Sequence, residues 1–283
     1  MKSPIWIALI VFLVAALACT ISLPVDTAKT GETQTLNINE PVPTNNPASA
    51  KLNVTMGAGT LQVSGGGAGL VEGSVRYNVA DWKPVVTRQS DGVSIQVDSQ
   101  MTKSIPSNNV INDWNLKLGN TPMDFTLQAG AYSGTVDLSG VPLTNLSISD
   151  GASSAKVMFN TPNPVKMTDL TYKTGASTVE LDGLDNANFS DMTFAGGAGS
   201  YTLDFSGNLQ QDANVLITAG VSNVTINVPA NSNSRVTITG ALNDINADGT
   251  FTIDGKIYKT EGSGPQLNIT VAMSVGSLDL VSK

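Results

Sequence analysis

Glu180 and Asp204 are the side chains with the clearest chemical potential. Each sits between two apolar residues, in Val179-Glu180-Leu181 and Leu203-Asp204-Phe205. If these stretches are neighbouring strands, the two carboxylates lie about 4.8 Å apart. A pair that close raises a pKa or draws in a cation. It also resembles the carboxylate pair of a glycan-cleaving lyase or hydrolase, with Lys173 as a further candidate group. The equivalent outward positions hold Asp137, Met158 and Asp279. Met158 interrupts the acidic column, which favours a solvated face over a catalytic one.

Most other chemistry is excluded by composition. The chain has no histidine, and its one cysteine is Cys19. Ser-His-Asp and Cys-His catalysis and His/Cys metal sites therefore fall away. The net charge is −8, and Arg76, Arg88 and Arg235 are the only arginines. No basic stripe is available to neutralise phosphates, so nucleic acid is not an expected partner. Gly65-Gly66-Gly67 lacks the Lys-Ser/Thr of a phosphate loop. Gly196 to Asp204 has the glycines of a calcium-binding nonapeptide but Tyr201 where that pattern needs Asp. No cofactor and no metal is expected. In the segment before the repeats, Tyr77, Trp82 and Trp114 are candidates for a sugar-stacking surface, with core packing as the alternative.

The elements that would carry these groups repeat. The motif apolar-x-apolar-x-x-Gly ends at Gly57, Gly130, Gly151, Gly175, Gly197, Gly220 and Gly276. From Gly130 to Gly220 the steps are 21, 24, 22 and 23 residues. A period of about 22 residues points to a stacked array in which each unit buries its apolar face against its neighbours. Apolar residues precede each glycine at odd offsets and follow it at even ones, as in Leu146, Ile148, Gly151, Val157 and Phe159. That switch predicts two strand arms joined by a bend at the glycine, and a backbone conformation open only to glycine would explain its return. Turn signals such as Asn160-Thr-Pro-Asn-Pro164 and Asp182-Gly183 separate the units, and shared lead-ins follow them: Thr144-Asn145, Thr168-Asp169, Ser190-Asp191. An antiparallel meander has the same alternation. The whole strand-bend-strand unit favours an all-β solenoid with rungs of about 22 residues.

The organisation expected is a signal peptide at 1–18, a flexible tether at 19–49, an N-terminal β domain at 50–120 and solenoid repeats at 121–283. Lys2, the apolar run Ile5–Leu17 and Ala16-Leu17-Ala18 have the form of an export signal. The N-terminal domain, with a hairpin at Asp91-Gly92, is expected to cap the stack. Strands around Leu267–Val271 and Leu278–Leu280 are expected to close its other end.

Three resemblances add to this reading. Ala16-Leu17-Ala18-Cys19 resembles a bacterial lipobox, which implies lipidation of Cys19 and an extracytoplasmic protein anchored to the membrane. The run Leu52-Asn-Val-Thr-Met-Gly-Ala-Gly-Thr-Leu-Gln-Val-Ser-Gly-Gly, with Val71-Glu-Gly-Ser-Val-Arg-Tyr-Asn and Trp82-Lys-Pro-Val-Val, resembles the bacterial toast-rack family. The array after Gly130 resembles LiaF-like and adhesin-like β-solenoid envelope lipoproteins. These resemblances imply a non-enzymatic envelope protein that binds cell-wall glycans or an envelope signalling protein. The alternatives are a regulator of the response to cell-wall antibiotics, or a polysaccharide lyase or hydrolase.

Overall fold

The structure is a computed structural model and describes residues 28–45, 48–97, 109–240 and 244–283. The expected signal peptide and Cys19 lie outside the described residues. In chain order the strands are β1 (Gln34–Glu40), β2 (Ala50–Gly65), β3 (Val71–Tyr77), β4 (Val85–Arg88), β5 (Gly92–Gln96) and β6 (Asn112–Leu118). Then come β7 (Met123–Asp137), β8 (Leu143–Met158), β9 (Met167–Asp182), β10 (Phe189–Asp204) and β11 (Ala213–Val228). The last are β12 (Asn233–Thr239), β13 (Asp244–Asp248), β14 (Thr252–Asp254), β15 (Ile257–Lys259) and β16 (Gln266–Ser282).

Seven of these are long strands, each bent near its middle, and they stack in parallel in the order β2-β7-β8-β9-β10-β11-β16. Burial switches parity at the bend. In β7, Met123, Phe125 and Leu127 point inward before it, and Tyr132 and Val136 point inward after it. The chain returns to the next rung through short, mostly irregular segments that also stack. Leu138 N–H donates to Met158 O, Phe159 N–H to Asp182 O and Phe205 N–H to Asn227 O. Each rung thus has two strand arms and a third, turn-rich side, with a core running through the middle. Buried Asn163 serves that third side as a substitute for strand pairing. Its Nδ2 donates to Leu143 O and Ala187 O, and its Oδ1 accepts from Leu143 N–H.

The glycines do not recur for their backbone angles. Gly130, Gly151, Gly175, Gly197 and Gly220 all lie outside the left-handed region. What they share is close stacking. A Cβ on Gly175 would lie 2.3 Å from the carbonyl oxygen of Gly151, and one on Gly197 2.3 Å from that of Gly175. The bend presses each rung onto the one before, and only hydrogen fits between. Gly276 departs from this column. Ser222 pairs with Gly276, so Gly220 is opposite Ser274, and Gly276 has φ +131°.

The two ends are interleaved. Beyond β2 lies a broken rung, in which β5 pairs with its first arm and β6 with its second. Beyond β16 lies another, built from β12 and β13. β16 is therefore an interior rung and does not close the stack, contrary to the expectation for Leu267–Leu280. Antiparallel strands cover both ends: β3, β1 and β4 at one, and the hairpin β14–β15 at the other. β1 falls within the segment expected to be tether, and it pairs along its length with β3. Its Glu40 is buried and held by Arg88, whose Nη2 donates to Oε1 at 2.8 Å.

Candidate functional site

Parallel, in-register stacking turns each outward position into a ladder of like positions about 4.8 Å apart. On the first arm, Asp124, Asn145, Asp169, Asp191, Asn214 and Asn268 form one such column. Asn214 Nδ2 donates to Asp191 Oδ1 at 3.3 Å. This column gives the shared Asn and Asp of the lead-ins their physical meaning: they recur at one outward position, where Asn145 separates Asp124 from Asp169 and Asn214 flanks Asp191, while Asp169 and Asp191 are directly opposite. On the second arm, Ser133, Ser154, Thr178, Ser200, Asn223 and Ser277 form a second column. Beside it runs a third, Thr135, Lys156, Glu180, Thr202, Thr225 and Asp279.

Glu180 and Asp204 are not opposite each other. Glu180 faces Thr202 on one side and Lys156 on the other, and Asp204 lies one column along, opposite Asn227. The expected acidic pair fails because Leu203 pairs with Leu181, so Asp204 falls two residues beyond Glu180's partner Thr202 and level with Asp182. Lys156 Nζ bridges Glu180 at 2.7 Å and Asp182 at 2.6 Å, and these bonds raise its pKa, with Asp182 contributing most. Lys173 is on the first arm, across the bend from Glu180, paired with Ser149 and Ala195.

Asp182 and Asp204 line a polar cleft of about 440 Å³ where the second arm meets the third side, together with Glu180, Asn186, Asn227 and Lys283. Burial alone would push the Asp204 carboxyl up, but hydrogen bonds from Ser206 and Lys283 hold it below the ordinary value. Behind the cleft wall is the turn Leu184–Ala187, bracketed by Gly183 and Asn188, both left-handed. Its Asp185 is 3% exposed, and Oδ1 has no hydrogen-bond partner. Burial, then the charge of Asp204, pushes this carboxyl up to about 7.

Of the two readings of the aromatic residues, core packing is the one found. Tyr77, Trp82 and Trp114 are 3%, 2% and 1% exposed and belong to the core of the capped end. The Trp114 indole N–H donates to Asn112 Oδ1, and Asn112 Nδ2 to Ala58 O. No ring face remains for a sugar. Their size and apolarity close the end of the stack, where no further rung is available to do so.

A second polar cluster has no counterpart in the sequence reading. Asp150, just before Gly151, is buried inside the bend. It accepts from Tyr172 Oη at 2.9 Å, Thr174 Oγ1 at 2.5 Å and Ser153 Oγ at 3.1 Å. Tyr132 lies beside Tyr172, and burial pushes its hydroxyl up to about 12; Tyr172 is pushed up further, again chiefly by burial. Parity was the available signal, since Leu146, Ile148 and Asp150 share one face. The cluster is sealed from solvent and satisfies its own charge, so its role is structural.

Among the described residues, no group of three or more His, Cys, Asp or Glu side chains could hold a metal ion. No described helix is long and apolar enough to cross a membrane.

The chain matches the N-terminal domain of toast_rack, DUF2154, over residues 27–164 and again over 162–227. No curated protein matches it. Among solved structures it is similar to a protein of Clostridium sporogenes ATCC 15579, provisionally described as a cell adhesion protein. The identity is 23%, the coverage 89% of this chain and 99% of that one, and the TM-score 0.50. At this identity the likeness concerns fold. A protein of Parabacteroides distasonis ATCC 8503, provisionally described as lipid binding, matches at 8% identity over 88% of this chain and 97% of that one, with a TM-score of 0.33. The two family matches span well over half of the chain and meet within the repeat array, and on that basis the chain belongs to the toast_rack family.

Proposed function

We propose that this chain is a non-enzymatic protein of the extracytoplasmic cell envelope, anchored by a lipidated Cys19, which binds cell-wall glycans along the outer faces of its stack. One observation carries the reading. The outer faces present continuous ladders of hydroxyls, amides and mutually paired charges, and the candidate reactive groups are already engaged with one another. Lys156 is shared by Glu180 and Asp182, and Lys283 lies 3.3 Å from Asp204. A ligand laid on such a face meets a hydrogen-bonding array rather than a poised acid and base. The description of the Clostridium sporogenes relative as adhesive lends support.

The test is co-sedimentation of the full chain with purified cell-wall sacculi, followed by assay of the supernatant for released sugar. Sedimentation without release is the expected result. Release that Glu180→Gln abolishes would establish the enzyme instead. In cells, Cys19→Ala is expected to move the protein from the membrane fraction to the soluble extracytoplasmic fraction. Retention in the membrane would remove the lipid anchor from this account.

A further inference from the structure

We infer that the glycan lies in one trough on the second arm, crossing the rungs from Gln62 on β2 to Asn227 on β11, and that this trough takes an uncharged, β-linked sugar chain. This rests on the glycan-binding reading and names the face and the polymer class within it. Two hollows make the trough. One is the polar cleft of about 440 Å³ beside Asp204, and the other, of about 430 Å³, lies over β2, β7, β8 and β9. Glu180 lines both, so they meet there. Side-chain length explains the second hollow. Ser133, Thr135, Ser154 and Thr178 are short, and the longer Gln62, Lys156 and Glu180 stand around them.

Length and hydrogen bonding suit an extended glycan. From β2 through β7, β8, β9 and β10 to β11 the trough crosses five strand spacings, roughly 24 Å along the stack. A β-linked pyranose chain advances by about one strand spacing per sugar, so successive sugars meet successive rungs at like positions. Among the described residues, the hydroxyls of Ser133, Ser154, Thr178 and Thr202 have no hydrogen-bond partner. Further along the same face, Ser277 already donates to Asn223. Each free hydroxyl can donate and accept, as a sugar hydroxyl does.

Charge selects the polymer class. Glu180, Asp182 and Asp204 line the trough with Lys156 and Lys283, and each carboxylate has an ammonium partner. A polyanion would meet three fixed carboxylates and two lysines that are already engaged, and like charges brought together are penalised. A polycation would find its carboxylates already neutralised. An uncharged chain can lie across the ion pairs without breaking them.

The full chain is titrated calorimetrically with the disaccharide and the hexasaccharide of β-1,4-linked N-acetylglucosamine. A hyaluronan hexasaccharide, also β-linked but carrying carboxylates, is the charged counterpart. The uncharged hexasaccharide is expected to bind at least about tenfold more tightly than the disaccharide, because each further rung adds hydrogen bonds. The hyaluronan fragment is expected to bind more weakly by a similar factor. Ser154→Arg fills the trough on β8 and should weaken the hexasaccharide about tenfold, with Thr178→Arg on β9 as a second variant. Ser149→Arg makes the same change on the first arm of β8 and should leave binding unchanged. Equal affinity for both lengths, equal or tighter binding of hyaluronan, or equal loss in Ser149→Arg would overturn the trough. Sedimentation with sacculi separates this inference from the glycan reading. If the parent sediments but does not bind the hexasaccharide, or if both trough variants sediment as it does, the trough is overturned and the glycan reading stands. A parent that does not sediment removes the glycan reading itself.

Discussion

At the scale of single residues, the unusual groups are two buried acids whose surroundings differ. Asp150 is ringed by hydroxyl donors, and its removal takes an acceptor from each. Asp150→Ala is expected to cost about 1–3 kcal/mol, read from urea unfolding, because buried Tyr172 loses its carboxylate acceptor while Thr174 keeps only Ser177. Asp185 has the opposite sign. Its folded pKa of about 7 exceeds the ordinary carboxylate value, so ionisation penalises the folded state. The penalty is absent below about pH 4, grows between about 4 and 7 and is constant above that. Asp185→Asn is therefore expected to be more stable than the parent above pH 7, by up to about 4 kcal/mol. The gain should vanish towards pH 4, and thermal unfolding across that range checks it. Parity alone marks Asp150 as inward. Asp185 was not legible in this way, because it lies in a turn, where alternation has no meaning and burial depends on the next rung.

At the scale of the element, the bent strand was readable and the reason for its glycine was not. Alternation reports which face is buried; it says nothing of how near the neighbouring rung comes. The column predicts a graded series under substitution by alanine. A Cβ would lie 2.3 Å from the preceding rung's carbonyl oxygen at Gly175 and Gly197, 2.7 Å at Gly151 and Gly220, and 3.1 Å at Gly130. Denaturation midpoints should fall in that order. The tightest sites are expected to lose about 1–3 kcal/mol, typical of overpacking, and Gly130→Ala the least. Equal losses at all five would mean that propensity rather than contact is being measured. Gly276 shows where pattern matching misleads. Val271-x-Met273-x-x-Gly276 fits the motif, yet Val271 pairs with Ile217 and shifts the glycine two places past the column.

At the scale of the whole molecule, the solenoid and its capped first end were legible from repeat period and composition. The order of the rungs was not, because β2 and β16 pair across long excursions that leave no mark in local alternation. The hairpin β14–β15 shields the broken rung at the far end, where it pairs with β12. Replacing Thr252–Lys259 by a short polar linker should expose that strand edge and drive self-association, visible by light scattering on a sizing column. A variant that stays monomeric would show that the edge needs no cover.

The interleaving also bears on how such a stack comes apart. An ordinary one-dimensional array frays from its ends, one unit at a time. Here β5 and β6 hang on β2, and the chain between them and β2 also supplies the antiparallel cover. At the other end, β12 and β13 are threaded between β11 and β16 in sequence but lie outside both in space. Peeling off either terminal tier thus leaves a closed loop of chain tethered across an intact rung, which limits the entropy gained. Amide hydrogen exchange should accordingly find the ends protected nearly as well as the middle, in a molecule that behaves as a single latch rather than as a zipper.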